Sequence, residues 1–367
     1  MVGGRPGSRT VTAVTEPTGS APYRHGIAEL TAAGRPVRVL VDTAGTALCL
    51  SQALVDELGL DVHEWLDDQG TAVSVVEPPE LRVGDAVLDT EGLVAYGFED
   101  VRPLGLAARH ADVLLPATVL RRHHVILDDP AGVMTVGPPA SLERRGVAVP
   151  TMIDPDSGLI LTSIEVDGEA FELVLDTAVT SSLAVDGLLR AWQGDHPDWP
   201  ASVSAVGPGN MVGLPLEAKV PMLRVPLVQW GPFQVPEVAF TWRGDGDVLG
   251  EGAFGGNVLK LFRLDLDWSA GSVRVEQGAP FAEHDAELVG VVLALGDEGW
   301  SVVATVSGLE DVRPGDVLVA VDGVDTAERP LPEVLDLLRG TPGDRKHLTI
   351  DRDGERLDVD VPVLRLV

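Results

Sequence analysis

Two aspartates, Asp42 and Asp176, end nearly identical apolar segments in the two halves of this 367-residue chain. The segments read Val39-Leu40-Val41-Asp42-Thr43-Ala44 and Leu173-Val174-Leu175-Asp176-Thr177-Ala178. An apolar run of this kind predicts a buried strand with a carboxylate at its tip. If the two tips meet, two carboxylates that share one proton can act as general acid and base for hydrolysis. The plainer interpretation is that each Asp-Thr only caps a turn with side-chain hydrogen bonds.

The elements around the two aspartates are repeated as well. Gly34 and Gly168 each predict a turn between two strands, residues 27–31 with 37–41 and residues 161–166 with 171–175. A short helix is expected after each aspartate, over 51–58 and 185–192, with Ser51 as N-cap and Gly59 and Gly194 at the helix ends. Residues 119–128 also match 258–267, and each of these segments runs into an Ala-Gly turn. The chain therefore predicts two similar halves, joined by a segment with linker chemistry at 137–141.

A third unit begins near Asp285. It has a strand around Gly290, an Arg-Pro-Gly-Asp turn at 313–316, and an amphipathic helix over 331–338. A hairpin closes it, with strands at 347–352 and 356–363 around Asp353-Gly354. This unit is not a copy of either half, so it predicts a separate small domain.

Composition limits the function. The formal net charge is −30, which argues against binding to nucleic acid or to anionic membranes. Apolar residues make up 45% of the chain, but no uninterrupted apolar run has the roughly 18 residues of a membrane span. The only cysteine, Cys49, is expected to be buried and to form no internal disulfide. With a start unlike a signal peptide, this predicts a cytoplasmic protein.

The duplicated Asp-Thr-Ala halves resemble the retropepsin-like and pepsin-like aspartic peptidases, in which each lobe supplies one catalytic Asp. The third unit resembles a PDZ domain, and the combination resembles bacterial aspartyl proteases that carry a C-terminal PDZ domain. The resemblance implies a mainly β protein with a bilobal, pseudo-two-fold β-barrel peptidase fold and a PDZ domain. The expected organisation is a flexible tail at 1–22, lobe 1 at 23–137, a linker at 138–154, lobe 2 at 155–280 and the PDZ domain at 285–367.

The same resemblance assigns roles to the repeated loops. Asp42 and Asp176 become the catalytic pair, and Thr43 and Thr177 the interlocking threonines that orient them.

Two features depart from the family pattern. Ala44 and Ala178 occupy positions where the family has glycine, which is tolerable if the backbone keeps a negative φ. In the family, a segment with glycine precedes the second helix of each lobe. Residues 252–257 of the second half fit that pattern well, whereas Pro116 stands where the first half would have the glycine.

Further site residues follow from the resemblance. A flap over the cleft is expected in the second half, at Gly207, Gly209 and Asn210. In the first half, residues 68–71 are either a shorter flap or a plain surface turn. The PDZ domain is expected to bind a peptide C-terminus by strand addition along residues 291–295, with a groove formed by Gly290, Val291, Val292 and Leu293. No metal site or cofactor is expected, because the adjacent His123 and His124 lack an acidic ligand cluster.

The sequence also predicts the pH range in which the aspartate pair titrates and works. In acid-acting relatives a hydroxyl directly after the triplet donates a hydrogen bond to the carboxylate and lowers its pKa. Gly45 and Val179 stand at these positions and offer no hydroxyl. The pair is therefore expected to titrate at higher pH and to work under near-neutral conditions.

Two functions remain open on the sequence. The first is an aspartic endopeptidase with a peptide or protein substrate, of which maturation of one dedicated peptide is a narrower version. The second is a peptide-binding scaffold that keeps the cleft but has lost hydrolysis through Ala44, Ala178 and Pro116. Retention of both aspartates and both threonines favours the first.

Overall fold

The structure, a computed structural model, describes residues 17–66, 72–98, 111–204, 220–242, 250–281, 287–296, 298–306, 309–327, 329 and 331–366. These residues form a mainly β protein, as predicted from the sequence. They fall into three parts: the first half (up to residue 137), the second half (138–281) and the C-terminal unit (287–366). The expected flap residues Gly207, Gly209 and Asn210, and the turn at 68–71, lie outside the described residues.

The first half consists of short strands and two short helices. Its strands are β1 (Gly19–Arg24), β2 (Ile27–Ala32), β3 (Arg35–Asp42), β4 (Leu48–Ser51), β5 (Val62–Leu66), β6 (Ala72–Val76), β7 (Leu81–Val83), β8 (Ala86–Val87), β9 (Ala95–Phe98), β10 (Val113–Pro116), β11 (His124–Asp128) and β12 (Val133–Gly137). Its helices are α1 (Gln52–Leu58) and α2 (Ala117–Leu120).

The second half has a similar order of elements, with three described strands between its first helix and the strand before its second helix, where the first half has five between α1 and β10. Its strands are β13 (Val147–Ala148), β14 (Thr151–Ile153), β15 (Ile160–Val166), β16 (Glu169–Leu175), β17 (Ser182–Ala184), β18 (Ala201–Ser204), β19 (Val220–Trp230), β20 (Phe233–Trp242), β21 (Gly252–Phe254), β22 (Phe262–Asp267) and β23 (Ser272–Gln277). Its helices are α3 (Asp186–Asp195) and α4 (Gly256–Leu259), with a 3₁₀ turn at Trp268–Ala270. Six strands close into a β-barrel in the order β15-β16-β21-β17-β20-β19, because β19 also pairs with β15.

Both halves place their aspartate by the same local topology. In the first half β3 forms a hairpin with β2 and lies parallel to β10, which puts Pro116 opposite Asp42. In the second half β16 forms a hairpin with β15 and lies parallel to β21. The two halves are joined through a shared sheet, in which β11 pairs antiparallel with β22 and Ile126 lies opposite Asp265. The repeat seen in the sequence is therefore a repeat of structure.

Helix ends follow the predicted capping residues in one half and not in the other. The Ser51 side chain accepts a hydrogen bond from the backbone N–H of Leu54 at 3.2 Å, and Gly59 ends α1 with φ of 63°. The expectation that Gly194 ends the second helix is wrong, because α3 continues through it to Asp195 and is capped by His196. Gly194 keeps a negative φ, so it tolerates the helical conformation.

Two predicted boundaries need correction. Residues 19–22 of the expected tail belong to β1, which pairs with β12 from Gly19 opposite Val136. The expected linker at 138–154 contains two strands, because β13 pairs with β23 and β14 pairs with β15. Both segments gain their structure from partners that are distant in the sequence.

The C-terminal unit has a six-stranded sheet, a two-stranded sheet formed by its first and last strands, and one helix. Its strands are β24 (Glu287–Leu288), β25 (Val291–Gly296), β26 (Gly299–Thr305), β27 (Val317–Val321), β28 (Val324–Asp325), β29 (Arg345–Arg352), β30 (Glu355–Pro362) and β31 (Leu364–Arg365), and its helix is α5 (Leu331–Leu338). The predicted hairpin is present, with φ of 55° at Asp353 and 85° at Gly354. Its apolar core also contains Met222 and Ala239, which belong to strands of the second half.

Among the described residues, no helix is long and apolar enough to span a membrane.

Candidate active site

The two aspartates lie at corresponding ends of buried strands. Asp42 is the last residue of β3, and Asp176 follows β16 directly, with its backbone N–H bonded to the carbonyl of Phe254 at 3.0 Å. Residues 39 to 41 and 173 to 175, which precede them, are all buried. Both carboxylates are therefore held on rigid, buried backbone.

Each aspartate is oriented by the same local hydrogen bond. The N–H of Ala44 donates to Oδ1 of Asp42 at 2.9 Å, and the N–H of Ala178 donates to Oδ1 of Asp176 at 2.9 Å. Neither alanine is among the described residues with positive φ. The methyl groups that replace the expected glycine hydrogens are therefore compatible with this backbone.

The two loops are linked to each other through their threonines. The Thr43 hydroxyl donates to the carbonyl of Leu175 at 2.6 Å, and the Thr177 hydroxyl donates to the carbonyl of Val41 at 2.6 Å. The backbone N–H of Thr177 also donates to Oγ1 of Thr43 at 3.1 Å, and the N–H of Thr43 donates to Oγ1 of Thr177 at 3.3 Å. Each threonine thus holds the loop of the opposite half. The geometry brings together the loop residues that the sequence analysis selected.

This link yields the first prediction. Thr43→Val removes the hydroxyl but keeps the shape, so the buried carbonyl of Leu175 and the N–H of Thr177 lose their partner. We expect a loss of about 2–3 kcal/mol in the free energy of unfolding, measured by urea denaturation. Thr43→Ser retains the hydroxyl and is the matched control. Equal stability of the valine and serine variants would show that the hydrogen bonds of the Thr43 hydroxyl contribute nothing to stability.

Burial and mutual repulsion dominate the electrostatics of the aspartates. Burial, followed by the nearby Asp176 carboxylate, raises the pKa of Asp42 from 3.8 to about 7, against the opposing effect of the N–H groups of Ala44 and Gly45. Asp176 is itself only 9% exposed. A pair in this setting retains one proton at near-neutral pH.

Gly45 leaves room for the Asp42 carboxylate. A Cβ at position 45 would lie 2.4 Å from Oδ2 of Asp42, which is closer than atoms can approach. A serine or threonine here would therefore require the Asp42 side chain or the loop to shift.

Several supporting residues were not found from the sequence. Asn257 is buried beside the second aspartate loop, where its side-chain oxygen accepts from the N–H and the hydroxyl of Ser182, both at 2.8 Å. Its amide donates to the carbonyl of Ala239 at 3.0 Å. In the sequence, the only indication of a role for Asn257 was its position as a polar residue directly after two glycines. Gly26 also packs against this loop, because a Cβ there would lie 2.5 Å from the carbonyl oxygen of Thr177.

Cys49 and the two adjacent histidines take no part in this site. Burial raises the pKa of the Cys49 thiol to about 12, so it stays protonated and unreactive. His123 accepts a hydrogen bond from the N–H of Asp89 at 2.9 Å, while His124 contacts Asp265. Within the described residues, no group of three or more potential ligands is arranged to hold a metal ion.

The expected peptide groove lies along β25. Val291, Val292 and Leu293 are buried in this strand, and Gly290 precedes it. Among the described strands β25 pairs with β26 alone, so its second edge has no strand beside it. Leu335 of helix α5 belongs to the same apolar cluster as Val291. A strand edge beside a helix is the arrangement that strand addition requires.

Comparison with family models agrees with this description of the C-terminal unit. No curated protein matches the sequence. One solved structure with a local likeness is the photosystem II D1 C-terminal processing protease, at 22% identity and a TM-score of 0.21. The match covers 22% of this chain and 24% of that protein, so this chain spans about a quarter of its length. Residues 309–352 match the family model of the PDZ domain, and the chain therefore contains a PDZ domain, a kind of domain that binds peptides.

Proposed function

We propose that this protein is an aspartic endopeptidase that hydrolyses peptide bonds with a water molecule activated between Asp42 and Asp176. The observation that carries the proposal is the reciprocal threonine link, which holds two equivalent Asp loops against each other. The raised pKa of Asp42 supports it, because a shared proton is what such a pair needs. Under this proposal the halves are peptidase lobes at 23–137 and 155–280, and the PDZ unit spans 285–367.

The pair can perform both proton transfers of the reaction. The ionised carboxylate takes a proton from the water as its oxygen attacks the carbonyl carbon of the substrate. The protonated carboxyl group stabilises the negative charge that develops on the carbonyl oxygen. It then supplies the proton that the nitrogen needs when the C–N bond breaks. This route requires neither a metal nor a covalent intermediate.

The pH dependence of the reaction is the second prediction. One proton must stay on the pair, and the raised pKa of Asp42 keeps it there up to about pH 7. We expect kcat/KM to fall as pH rises through about 7, when both carboxylates become ionised. A pH–rate profile on a fixed peptide tests this, with circular dichroism at each pH as the control for unfolding. A rate that peaks below about pH 4 would contradict it.

The PDZ domain gives the proposed enzyme a second contact with its substrate or with a partner. A C-terminal peptide would add to the free edge of β25, with Gly290 at the start of the groove and Leu293 within it. Peptides and proteins are therefore the proposed binding partners.

A peptide-library cleavage assay with mass-spectrometric detection separates this proposal from a scaffold without hydrolytic activity. Wild type, Asp42→Asn and Asp176→Asn are compared between about pH 3 and pH 9. Equal loss of cleavage in both variants supports the enzyme. No cleavage by wild type at any pH supports the scaffold, for which Ala44, Ala178 and Pro116 are the relevant departures.

A further inference from the structure

The PDZ domain packs against the second half of the chain. Met222 of β19 and Ala239 of β20 are 4% and 7% exposed, and they belong to the same apolar cluster as Leu335 of helix α5. Burial of apolar side chains on both sides favours a docked PDZ domain. Helix α5 is therefore held near the two halves.

A charged contact joins helix α5 to the first half. Nε2 of His25 lies 3.1 Å from Oδ2 of Asp336, which also pairs with Arg339 on its own helix. Burial raises the pKa of Asp336, but the contact with His25 and the positive charge of Arg339 outweigh burial and lower it to about 2. The carboxylate that meets the His25 ring is therefore ionised at neutral pH.

His25 lies in the two-residue turn that joins β1 to β2. Its φ is 51° and that of Gly26 is 83°, and both residues of a tight hairpin turn of this type need a positive φ. The backbone N–H of His25 donates to Oδ2 of Asp129 at 2.6 Å, within the first half. The backbone of the turn is thus fixed from its own half, while the His25 ring contacts the PDZ domain.

Gly26, on the inner side of this turn, contacts the backbone next to both aspartates. Its carbonyl oxygen accepts from the N–H of Val41, the residue before Asp42, at 2.8 Å. A Cβ at position 26 would lie 2.5 Å from the carbonyl oxygen of Thr177, the residue after Asp176, so the turn approaches that loop backbone to backbone. Because the Val41 carbonyl also accepts from the Thr177 hydroxyl, a displacement of the turn would disturb both loops.

We propose that His25 is a positioning residue, through which helix α5 of the PDZ domain holds the two aspartate loops in their working geometry. The inference rests on the proposed function. Asp336 contacts the His25 ring from the outside, and Gly26 passes the constraint to the neighbours of both aspartates. The PDZ domain then supports hydrolysis itself, in addition to any peptide bound along β25.

His25→Asn and Asp336→Ala each break the outer contact. Asparagine tolerates a positive φ and keeps the backbone N–H, but its shorter side chain should not reach Asp336. We expect kcat on the best library peptide to fall by about tenfold in either variant with KM little changed, since a misplacement of about 1 Å can cost about 100-fold in rate. The matched control is Glu333→Ala, which removes an acidic side chain of the same helix that pairs with Arg329 of the PDZ domain. It should leave kcat unchanged.

The double variant of His25→Asn and Asp336→Ala shows whether the two residues act through each other. If their contact carries the effect, the double variant has the same kcat as the single variants. Losses that multiply in the double variant, or an unchanged kcat in either single variant, would overturn the inference and leave the hydrolase standing.

Hydrogen exchange distinguishes failure of this inference from failure of the proposed function, because it requires no cleavage. Exchange of the intact protein is followed by mass spectrometry, and both single variants should speed exchange at the Val41 amide, which donates to Gly26, by about tenfold. The controls are the amides of Val149 and Val302, which are bonded in the second half and in the PDZ domain. Faster exchange confined to the Val41 segment supports the inference even if wild type cleaves nothing. Unchanged exchange at Val41, or exchange that is also faster in a control segment, overturns it.

Discussion

Asp42→Asn is expected to abolish hydrolysis and, at the same time, to stabilise the fold at neutral pH. Asparagine cannot take up or supply the proton of the reaction, so kcat should fall by about 10³-fold or more. The backbone contact from Ala44 to Oδ1 can be kept by the amide oxygen, so the loop should retain its geometry. Cleavage of the best library peptide gives the activity.

The stability gain follows from the raised pKa of Asp42. A carboxyl group whose pKa rises from 3.8 to about 7 on folding favours the protonated native state. This stabilisation of the folded state is fully present below about pH 4 and is lost as pH rises through about 7. Asparagine stays neutral, so the variant should be more stable than wild type by about 1–3 kcal/mol near pH 8 and equal to it near pH 4.

Urea unfolding at the two pH values measures this difference. Asp85→Asn, in the exposed turn between β7 and β8, is the control and should change stability at neither pH. A variant that is inactive but less stable than wild type at both pH values would contradict the proposed electrostatics of the pair.

Asp265→Ala should destabilise the protein strongly, by about 3–5 kcal/mol in the free energy of unfolding. Asp265 is fully buried on β22, opposite β11, at the point where the two halves share a sheet. Its carboxylate contacts Nε2 of His124 at 3.1 Å and Nε of Arg144 at 3.1 Å, and Nη1 of Arg263 lies 3.7 Å away. Alanine leaves these groups without their acceptor in a buried position.

The pH dependence of Asp265 has the opposite sign to that of Asp42. Burial raises the pKa of Asp265, but the hydrogen bond from His124 and the charge of Arg144 outweigh it, so the pKa is lowered. The stabilisation of the folded state by the Asp265 carboxylate is present above about pH 4 and is lost as pH falls through the lowered pKa. The difference between wild type and Asp265→Ala should therefore shrink in acid.

Urea unfolding at neutral and acidic pH measures the effect. Glu276→Ala, on an exposed position of the neighbouring strand β23, is the control and should change stability by less than about 0.5 kcal/mol. If Asp265→Ala behaves like this control, the buried cluster does not hold the two halves together.

Local features of the fold could be read from the sequence because local residues cause them. The hairpins around Gly34 and Gly168 are present, and Ser51 and Gly59 bound α1 as predicted. β13 and β14 were missed because their only support is pairing with distant strands, which linker-like composition does not reveal. Gly194 was misread for a related reason, since a glycine inside a packed helix looks like a helix end in the sequence.

The candidate site likewise has some features that the sequence shows and others that depend on residues far apart in the sequence. The type and spacing of Asp42, Thr43, Asp176 and Thr177 were visible because the sequence repeats them. The position of α5 near the loop after Asp176 was not visible, because it depends on how the PDZ domain packs against the second half. His25 gave no signal either, as its partners Asp129 and Asp336 are far away in the sequence.

The position of α5 also gives the proposed cleft a polarity. Two identical aspartate loops in identical surroundings would accept a peptide chain equally well in either of its two directions. The helix lies beside residues 177 to 180, which directly follow Asp176, so the surroundings of the two aspartate loops differ. A peptide whose N-terminal end points towards the PDZ domain then meets other contacts than a reversed peptide. The third domain thereby converts a symmetric arrangement into one that can read the direction of a polypeptide.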